Sequence, residues 1–324
     1  MKNYYDYCKK TIATLSLALS LTVGTTAAQV QAQEPVLKVG VLQYVEHESL
    51  NANYQGFVDG LKEAGYEEGK NLEIDFVNAM ADAANLQSMS EKLVNNNDYL
   101  FAIATPAAQA VANVVGDKPL YFSSVTDPVA AGLVESLQAP GKDITGTIDA
   151  APIEEQVKLL QGLAPEAKTI GLLYNAGEAN SQSEAKRAKS ALEAAGLKVE
   201  EATVTSTNDI NQVMTALTTK VDAIFTITDN TVASAMTLVG DLAKEAKLPL
   251  VGGSEDMVKQ NGLATYGLNY YNLGKQTAAM LVKQVEEGTA PKDMPVESAA
   301  ENNLIVNEDF AKAIGIEVGD IKLD

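Results

Sequence analysis

The chain carries a partial copy of itself, and a duplicated order of strand and helix signals restricts the fold more than anything else in the sequence. The stretch Asp98-Tyr-Leu-Phe-Ala-Ile-Ala-Thr-Pro-Ala-Ala-Gln-Ala-Val-Ala112 is a short apolar run that stops at a polar pair and becomes alanine-rich. Asp222-Ala-Ile-Phe-Thr-Ile-Thr-Asp-Asn-Thr-Val-Ala-Ser-Ala-Met236 follows the same plan. An apolar run of this length bounded by a turn signal reads as a buried parallel strand, and the alanine-rich segment after it as a helix. Three further landmarks repeat in the same order: Lys38 to Tyr44 with Thr169 to Asn175, Leu61 to Gly65 with Leu192 to Gly196, and Lys118 to Ser124 with Leu248 to Ser254. The offsets stay within about 124 to 131 residues, as expected of two duplicated α/β lobes. In parallel sheets the ligand crevice lies beyond the carboxyl ends of the strands, so two such lobes are expected to face one ligand.

The remaining elements follow from periodicity and turn chemistry. Gly141 to Ile148 is expected to be the passage between lobes, and Ile153 to Leu163 the helix that opens the second. Gly132 to Leu137 is a short segment after the Thr126-Asp-Pro128 turn. The segments after Gly253, namely a strand in Gly262 to Asn269, a helix in Leu273 to Val285, a strand at Asn303 to Val306 and a helix at Glu308 to Ile314, have no evident counterpart in the duplication. They are expected to carry the chain back and forth across a hinge. The predicted division is a leader at 1–32, one lobe from 33–147 with 269–297, and a second from 148–268 with 298–324.

The leader is predicted from Lys2, Lys9 and Lys10 ahead of the apolar run Thr11 to Val23, followed by small residues, which is the pattern of an export signal. The protein is therefore expected in the periplasm or on the outer face of the cytoplasmic membrane. Its single cysteine, Cys8, would leave with the leader, so a disulfide, a thiol nucleophile or cysteine-bound zinc is not expected in the mature chain. Formal charge is −19, and the first 32 residues contribute +2 of opposite sign, leaving −21 beyond them. Such a surface repels nucleic acid. No metal and no cofactor are expected, because dinucleotide, phosphate-loop, hydrolase-elbow and zinc-helix motifs are all missing.

The candidate binding groups are polar residues at the expected strand ends. Thr105, Pro106 and Ala107 open a helix whose free N–H groups and hydroxyl suit a carboxylate. Ser123, Ser124, Thr126 and Asp127 follow the next strand. On the other lobe, Asp229, Asn230 and Thr231, with Glu255, offer acceptors for an ammonium group, while Asn175, Glu178, Asn180 and Ser181 sit at the end of its first strand. Tyr44, His47 and Leu50 offer a less polar surface for a side chain, and Glu46 in the same loop is a further candidate. Capping is the competing role for Thr105, Thr126 and Asp229. An enzyme reading also stands open here: a two-lobed hydrolase or isomerase built on His47, the only histidine, and a carboxylate, with a pair such as Glu46 and Glu255 available.

Val39-Gly-Val-Leu-Gln-Tyr-Val-Glu-His47, Ala104-Thr-Pro-Ala-Ala-Gln109, Thr126-Asp-Pro128, Asp229-Asn-Thr231 and Gly262-Leu-Ala264 together resemble the substrate-binding proteins of ABC importers, in particular the tryptophan-, tyrosine- and phenylalanine-binding subgroup. The resemblance spans nearly the whole chain beyond the leader. It implies the periplasmic-binding-protein type I fold, two Rossmann-like lobes with parallel sheets joined by a hinge, and a non-enzymatic monomer. It also implies an aromatic amino acid as ligand, with a sugar or nucleoside as the alternative, and a cognate ABC permease as membrane partner. By the same pattern Thr105, Ala107, Ser124, Asp229 and Asn230 lie near the ligand's amino-acid group, with the Tyr44 to Leu50 loop near its side chain. One departure is the missing lipid-attachment cysteine, which leaves the mode of attachment open, as is a sensory rather than a transport role.

Overall fold

The computed structural model describes residues 36–299 and 302–317. The expected leader and Cys8 lie outside them. Strand and helix alternate as the apolar periodicity requires: β1 (Leu37–Gln43), α1 (Glu48–Glu63), β2 (Leu72–Asn78), α2 (Ala83–Asn96), β3 (Tyr99–Ile103), α3 (Thr105–Ala112), β4 (Leu120–Val125) and β5 (Ile144–Ile148). The pattern restarts with α4 (Ile153–Leu163), β6 (Thr169–Asn175), α5 (Ala179–Ala194), β7 (Lys198–Val204), α6 (Ile210–Thr218) and β8 (Ala223–Thr226). It continues through α7 (Asn230–Ser234), α8 (Met236–Glu245), β9 (Leu250–Val251), α9 (Glu255–Asn261) and β10 (Ala264–Leu268). The chain closes with α10 (Tyr270–Glu287), β11 (Glu297–Ser298), β12 (Asn302–Val306) and α11 (Glu308–Ile314).

Two six-stranded sheets result, ordered β2-β1-β3-β4-β5-β11 and β7-β6-β8-β9-β10-β12. The first is parallel throughout, and in the second only β12 runs antiparallel, against β10. The central strands β3, β4, β5, β8 and β9 are apolar and buried because helices cover both faces. The strand order reverses between β1 and β3, and again between β6 and β8, so each sheet has its crevice at those carboxyl ends. Each sheet has its own apolar core; Phe57 stacks on Phe101 at 4.0 Å between ring centres in the first, and Phe225 and Phe310 are buried in the second.

Two expectations are corrected. Gly141 to Ile148 is not the passage between lobes: Ile144–Ile148 is the buried strand β5, and the chain leaves the first sheet after it, between Asp149 and Pro152. Nor do all the later segments lack a counterpart, since β10 holds the place in its sheet that β5 holds in the other. The helix that follows each of these strands then packs on the opposite lobe, α4 against β9, β10 and α5, and α10 against α1, β4 and β5. Gly132 to Leu137 forms neither helix nor strand.

The return of α10 depends on close backbone approach. A Cβ at Gly56 of α1 would lie 1.9 Å from the carbonyl oxygen of Tyr271, and one at Gly274 of α10 would lie 1.9 Å from that of Asn53. Neither helix can yield without moving off its sheet. Gly274→Val should therefore destabilise the protein by roughly 1–3 kcal/mol or more, read as a lower midpoint in urea unfolding.

Candidate functional site

Backbone strain marks the crevice of the first sheet. Ala104, between β3 and α3, has φ +81°, and Ser124 near the end of β4 has φ +57°, conformations that side chains other than glycine rarely adopt. The strain at Ser124 accompanies a bulge, where the β4–β5 pairing slips between Phe122 and Val125. Gly146 opposite has φ +158°, and a Cβ there would fall 1.9 Å from the Phe122 carbonyl oxygen. The bulge separates two neighbouring serines. Ser123 turns into the lobe, accepting from Asn53 Nδ2 at 2.7 Å and pairing with Thr147 at 2.8 Å, whereas Ser124 lines the cavity between the sheets with its hydroxyl unpartnered among the described residues.

That cavity brings together His47, Ser49, Leu50, Ser124, Thr126 and Asp149 with Asn180, Thr228, Asp229, Asn230, Ala233, Ser254, Met257 and Tyr270. Both lobes contribute, and hydrogen bonds span them: His47 Nε2 to Asn230 Oδ1 at 3.3 Å, Ser49 to Ser254 at 3.1 Å and Thr126 to Thr228 at 3.5 Å. The chain passes between the sheets after β5, after β10 and between β11 and β12, and the first two of these crossings are joined, because Tyr270, just after β10, donates to Asp149, just after β5, at 2.8 Å. Asp149 also accepts from Thr126 at 3.0 Å.

The charge balance is one-sided. Among the described residues the lining contains no Lys or Arg, yet Asp149 and Asp229 belong to it and Glu178 and Glu184 are buried just behind. Desolvation is the leading cause that pushes all four carboxyls up from their usual range, Glu178 and Glu184 each to about 7. Asp229 raises Glu178 further, Asp149 does the same to Glu184, and Arg187 pulls Glu184 back only weakly. Hydrogen bonds compensate in part: Asp229 accepts from Asn175 N–H at 2.6 Å, Ser181 at 2.7 Å and Val232 N–H at 2.8 Å, and Glu184 accepts from the N–H and hydroxyl of Thr228. Glu184 Oε1 and Asn180 Oδ1 remain buried acceptors without partners among the described residues. Burial holds His47 down to about 4, so its ring is neutral.

Several expected residues take other places. Glu46 is exposed, and Glu255 is turned to Lys259 at 3.0 Å and Asn303 at 2.8 Å, so the two do not form a pair. Asp127 meets Ser183 at 3.4 Å outside the cavity. Thr105, Pro106 and Ala107 do not line it either, although the Thr105 hydroxyl is buried and unpartnered among the described residues and Ala107 N–H has no acceptor within its own helix. Asn175, Glu178, Ser181 and Thr231 form a layer behind the lining. Burial and the charges of Glu178 and Asp229 across the crevice push the Tyr44 phenol up. Sequence reasoning missed Ser49, Asp149, Glu184, Thr228, Ala233, Ser254, Met257 and Tyr270. Thr228 and Ser254 carried a signal, since both stand at strand ends of the repeated landmarks and Ser254 matches Ser124.

Two α/β lobes closed over one polar cavity, with two crossings tied side by side, define a ligand-binding protein of the periplasmic-binding-protein type I fold. The model of the ABC transporter substrate binding protein family matches residues 38–322, and the chain belongs to that family. It is 36% identical over 280 residues to a tyrosine-binding protein of Clostridioides difficile strain R20291, covering 86% of this chain and 81% of the relative. Among solved structures, the ABC domain in complex with L-Trp from Streptococcus pneumoniae is 40% identical with a TM-score of 0.84, over 87% of this chain and 96% of that one. The ligand-free, open structure of a substrate-binding protein with adhesive properties from Clostridium difficile is 41% identical with a TM-score of 0.67, again over 87% and 96%. The chain is a solute-binding protein and not an enzyme, so the hydrolase or isomerase reading of His47 is set aside.

The raised carboxyls make stability depend on pH. A folded state that keeps protons the unfolded chain has released loses stability as pH rises through the folded pKa. From about pH 7 to 8 His47 is neutral folded and, with an ordinary value of 6.5, mostly neutral unfolded, which leaves Glu178 and Glu184 to set the slope. Thermal midpoints of the ligand-free protein should therefore fall over that interval. Glu184→Gln, which fixes the neutral form, should add roughly 1–3 kcal/mol at pH 8, less at pH 5.5 and little below about pH 4, where the wild-type carboxyl is protonated in both states.

Proposed function

We propose that the protein is the extracytoplasmic receptor of an ABC importer, binding an amino acid with an aromatic side chain between its lobes and presenting the closed complex to a membrane permease. The observation that carries this reading is the uncompensated group of carboxyls at the cavity, which an ammonium group would neutralise. Asp149, Asp229 and Asn180 Oδ1 are the acceptors placed to meet it. The Ser124 hydroxyl, with Thr105 and Ala107 N–H beyond it, supplies donors for the carboxylate. Leu50, Ala233 and Met257 give the apolar contact for a side chain.

The lobes follow the predicted division, 33–147 with 269–297 and 148–268 with 298–324, shifted so that Ile148 stays with β5 in the first, and closure is the working motion. Two facts support closure: the bonds across the cleft, and a higher TM-score to the L-Trp complex than to the ligand-free open structure at nearly equal identity. Ligand contacts with both lobes favour the closed state by their difference in affinity between open and closed forms. The expectation of a monomer is kept as part of the proposal.

Thermal unfolding against the twenty amino acids, sugars and nucleosides tests the ligand class. A true ligand at about a hundred times its dissociation constant should add roughly 2.7 kcal/mol, and only aromatic amino acids should do so. The charge argument has its own check. Because an ammonium group favours ionised carboxyls, binding at pH 7 should release protons, and affinity should fall as pH drops from 8 to 6. Calorimetry in two buffers of different ionisation heat measures the release. A neutral sugar or nucleoside ligand would give none.

A further inference from the structure

The hydrogen bonds behind the cavity have a polarity that can be traced from a backbone N–H. Gly177 N–H donates to Asn175 Oδ1 at 2.7 Å, which fixes that amide with its nitrogen outward. Asn175 Nδ2 donates to Thr231 Oγ1 at 2.8 Å, so the Thr231 hydrogen is free to go to Glu178 Oε1 at 3.0 Å. Ionised, as it is above pH 7, Glu178 can only accept, and its Oε2 takes Asn230 Nδ2 at 2.5 Å. Asn230 must then turn Oδ1 toward His47, 3.3 Å from Nε2. An amide oxygen cannot donate, so the His47 hydrogen sits on Nε2 and Nδ1 carries a lone pair.

That lone pair is a buried acceptor with no partner among the described residues, on a ring that lines the cavity beside Leu50. We propose that His47 determines specificity within the aromatic amino acids, accepting at Nδ1 a hydrogen bond from a ring-borne donor, a phenol O–H or an indole N–H, and thereby disfavouring phenylalanine. This rests on the reading of the cavity as an aromatic amino-acid site. A site built to satisfy such a donor rejects the analogue that lacks it, because its own acceptor stays unpaired. Phenylalanine fits wherever tyrosine fits, so steric exclusion does not enter.

The test is calorimetric titration of the protein with L-Tyr, L-Trp and L-Phe at pH 8, above the Glu178 pKa of about 7, where that carboxylate is ionised. L-Phe should bind at least tenfold more weakly than L-Tyr. In His47→Leu the ratio should shrink to within threefold, through loss of L-Tyr affinity. His47 is the only histidine in the sequence, so its ¹⁵N resonances need no assignment. They should report the Nε2–H tautomer, with an Nδ1 shift on adding L-Tyr and none on adding L-Phe. Equal binding of L-Tyr and L-Phe, an unchanged ratio in His47→Leu or the Nδ1–H tautomer would each overturn the assignment. If His47→Leu does not fold, the wild-type ratio and the tautomer still decide. If none of the three binds, the aromatic-receptor reading falls with it; if L-Phe binds as well as L-Tyr, only the role of His47 falls.

Discussion

Four carboxyl groups buried around one cavity, with no lysine or arginine in its lining among the described residues, are the constraint to which the rest of the site answers. Isolated charges of one sign in a dehydrated space are costly, and the protein meets that cost with hydrogen bonds and raised pKa values rather than with lysine or arginine. Asp229 is held by two backbone N–H groups and a serine, and Glu178 by two amides and a threonine. These bonds orient the groups without neutralising them. A cationic ligand group would therefore supply the opposite charge that the lining lacks.

The exchange of helices confines the link between the lobes to a few residues. Because α4 follows a strand of the first sheet but packs on the second, and α10 does the reverse, each lobe is completed by chain that has just left the other. The crossings at Asp149 and Tyr270 share a hydrogen bond, and Thr126 attaches them to the end of β4. Glycines at the α1–α10 contact keep the returning helix tight against its lobe. Rigid lobes on a narrow tie suit a hinge motion, in which most packing is conserved and only the groups facing the cavity change neighbours.

Neighbouring residues at the strand ends serve opposite purposes, and the bulge in β4 shows how. One residue of slippage sends Ser123 into a buried hydroxyl network and leaves Ser124 facing the cavity. The amides of Asn175 and Asn230 act similarly, passing the direction of one backbone N–H through Thr231 and Glu178 to the imidazole of His47.

Much of the architecture was legible in the sequence because it is written in local periodicity: the duplicated strand and helix order, α4 and α11 to the residue, and the polar strand ends that hold Thr126, Asn180, Asp229 and Asn230. Leu50 reaches the cavity from the first turn of the sixteen-residue α1 rather than from the expected Tyr44 to Leu50 loop, and His47 stands at the N-cap of that helix. Other features were decided only by the tertiary structure. Nothing local distinguishes Glu46, which is exposed, and Glu255, which is buried but paired with Lys259, from Glu178 and Glu184, which are buried without a basic partner in hydrogen-bond contact; which carboxylates lose water and which find a cation depends on the assembled fold. Asp149 and Tyr270 are 121 residues apart and meet only because both crossings pass the same point. Periodicity encodes the face a residue shows to its own lobe. The cavity is made by two lobes meeting, so its charge and its open hydrogen-bonding positions belong to the assembled fold.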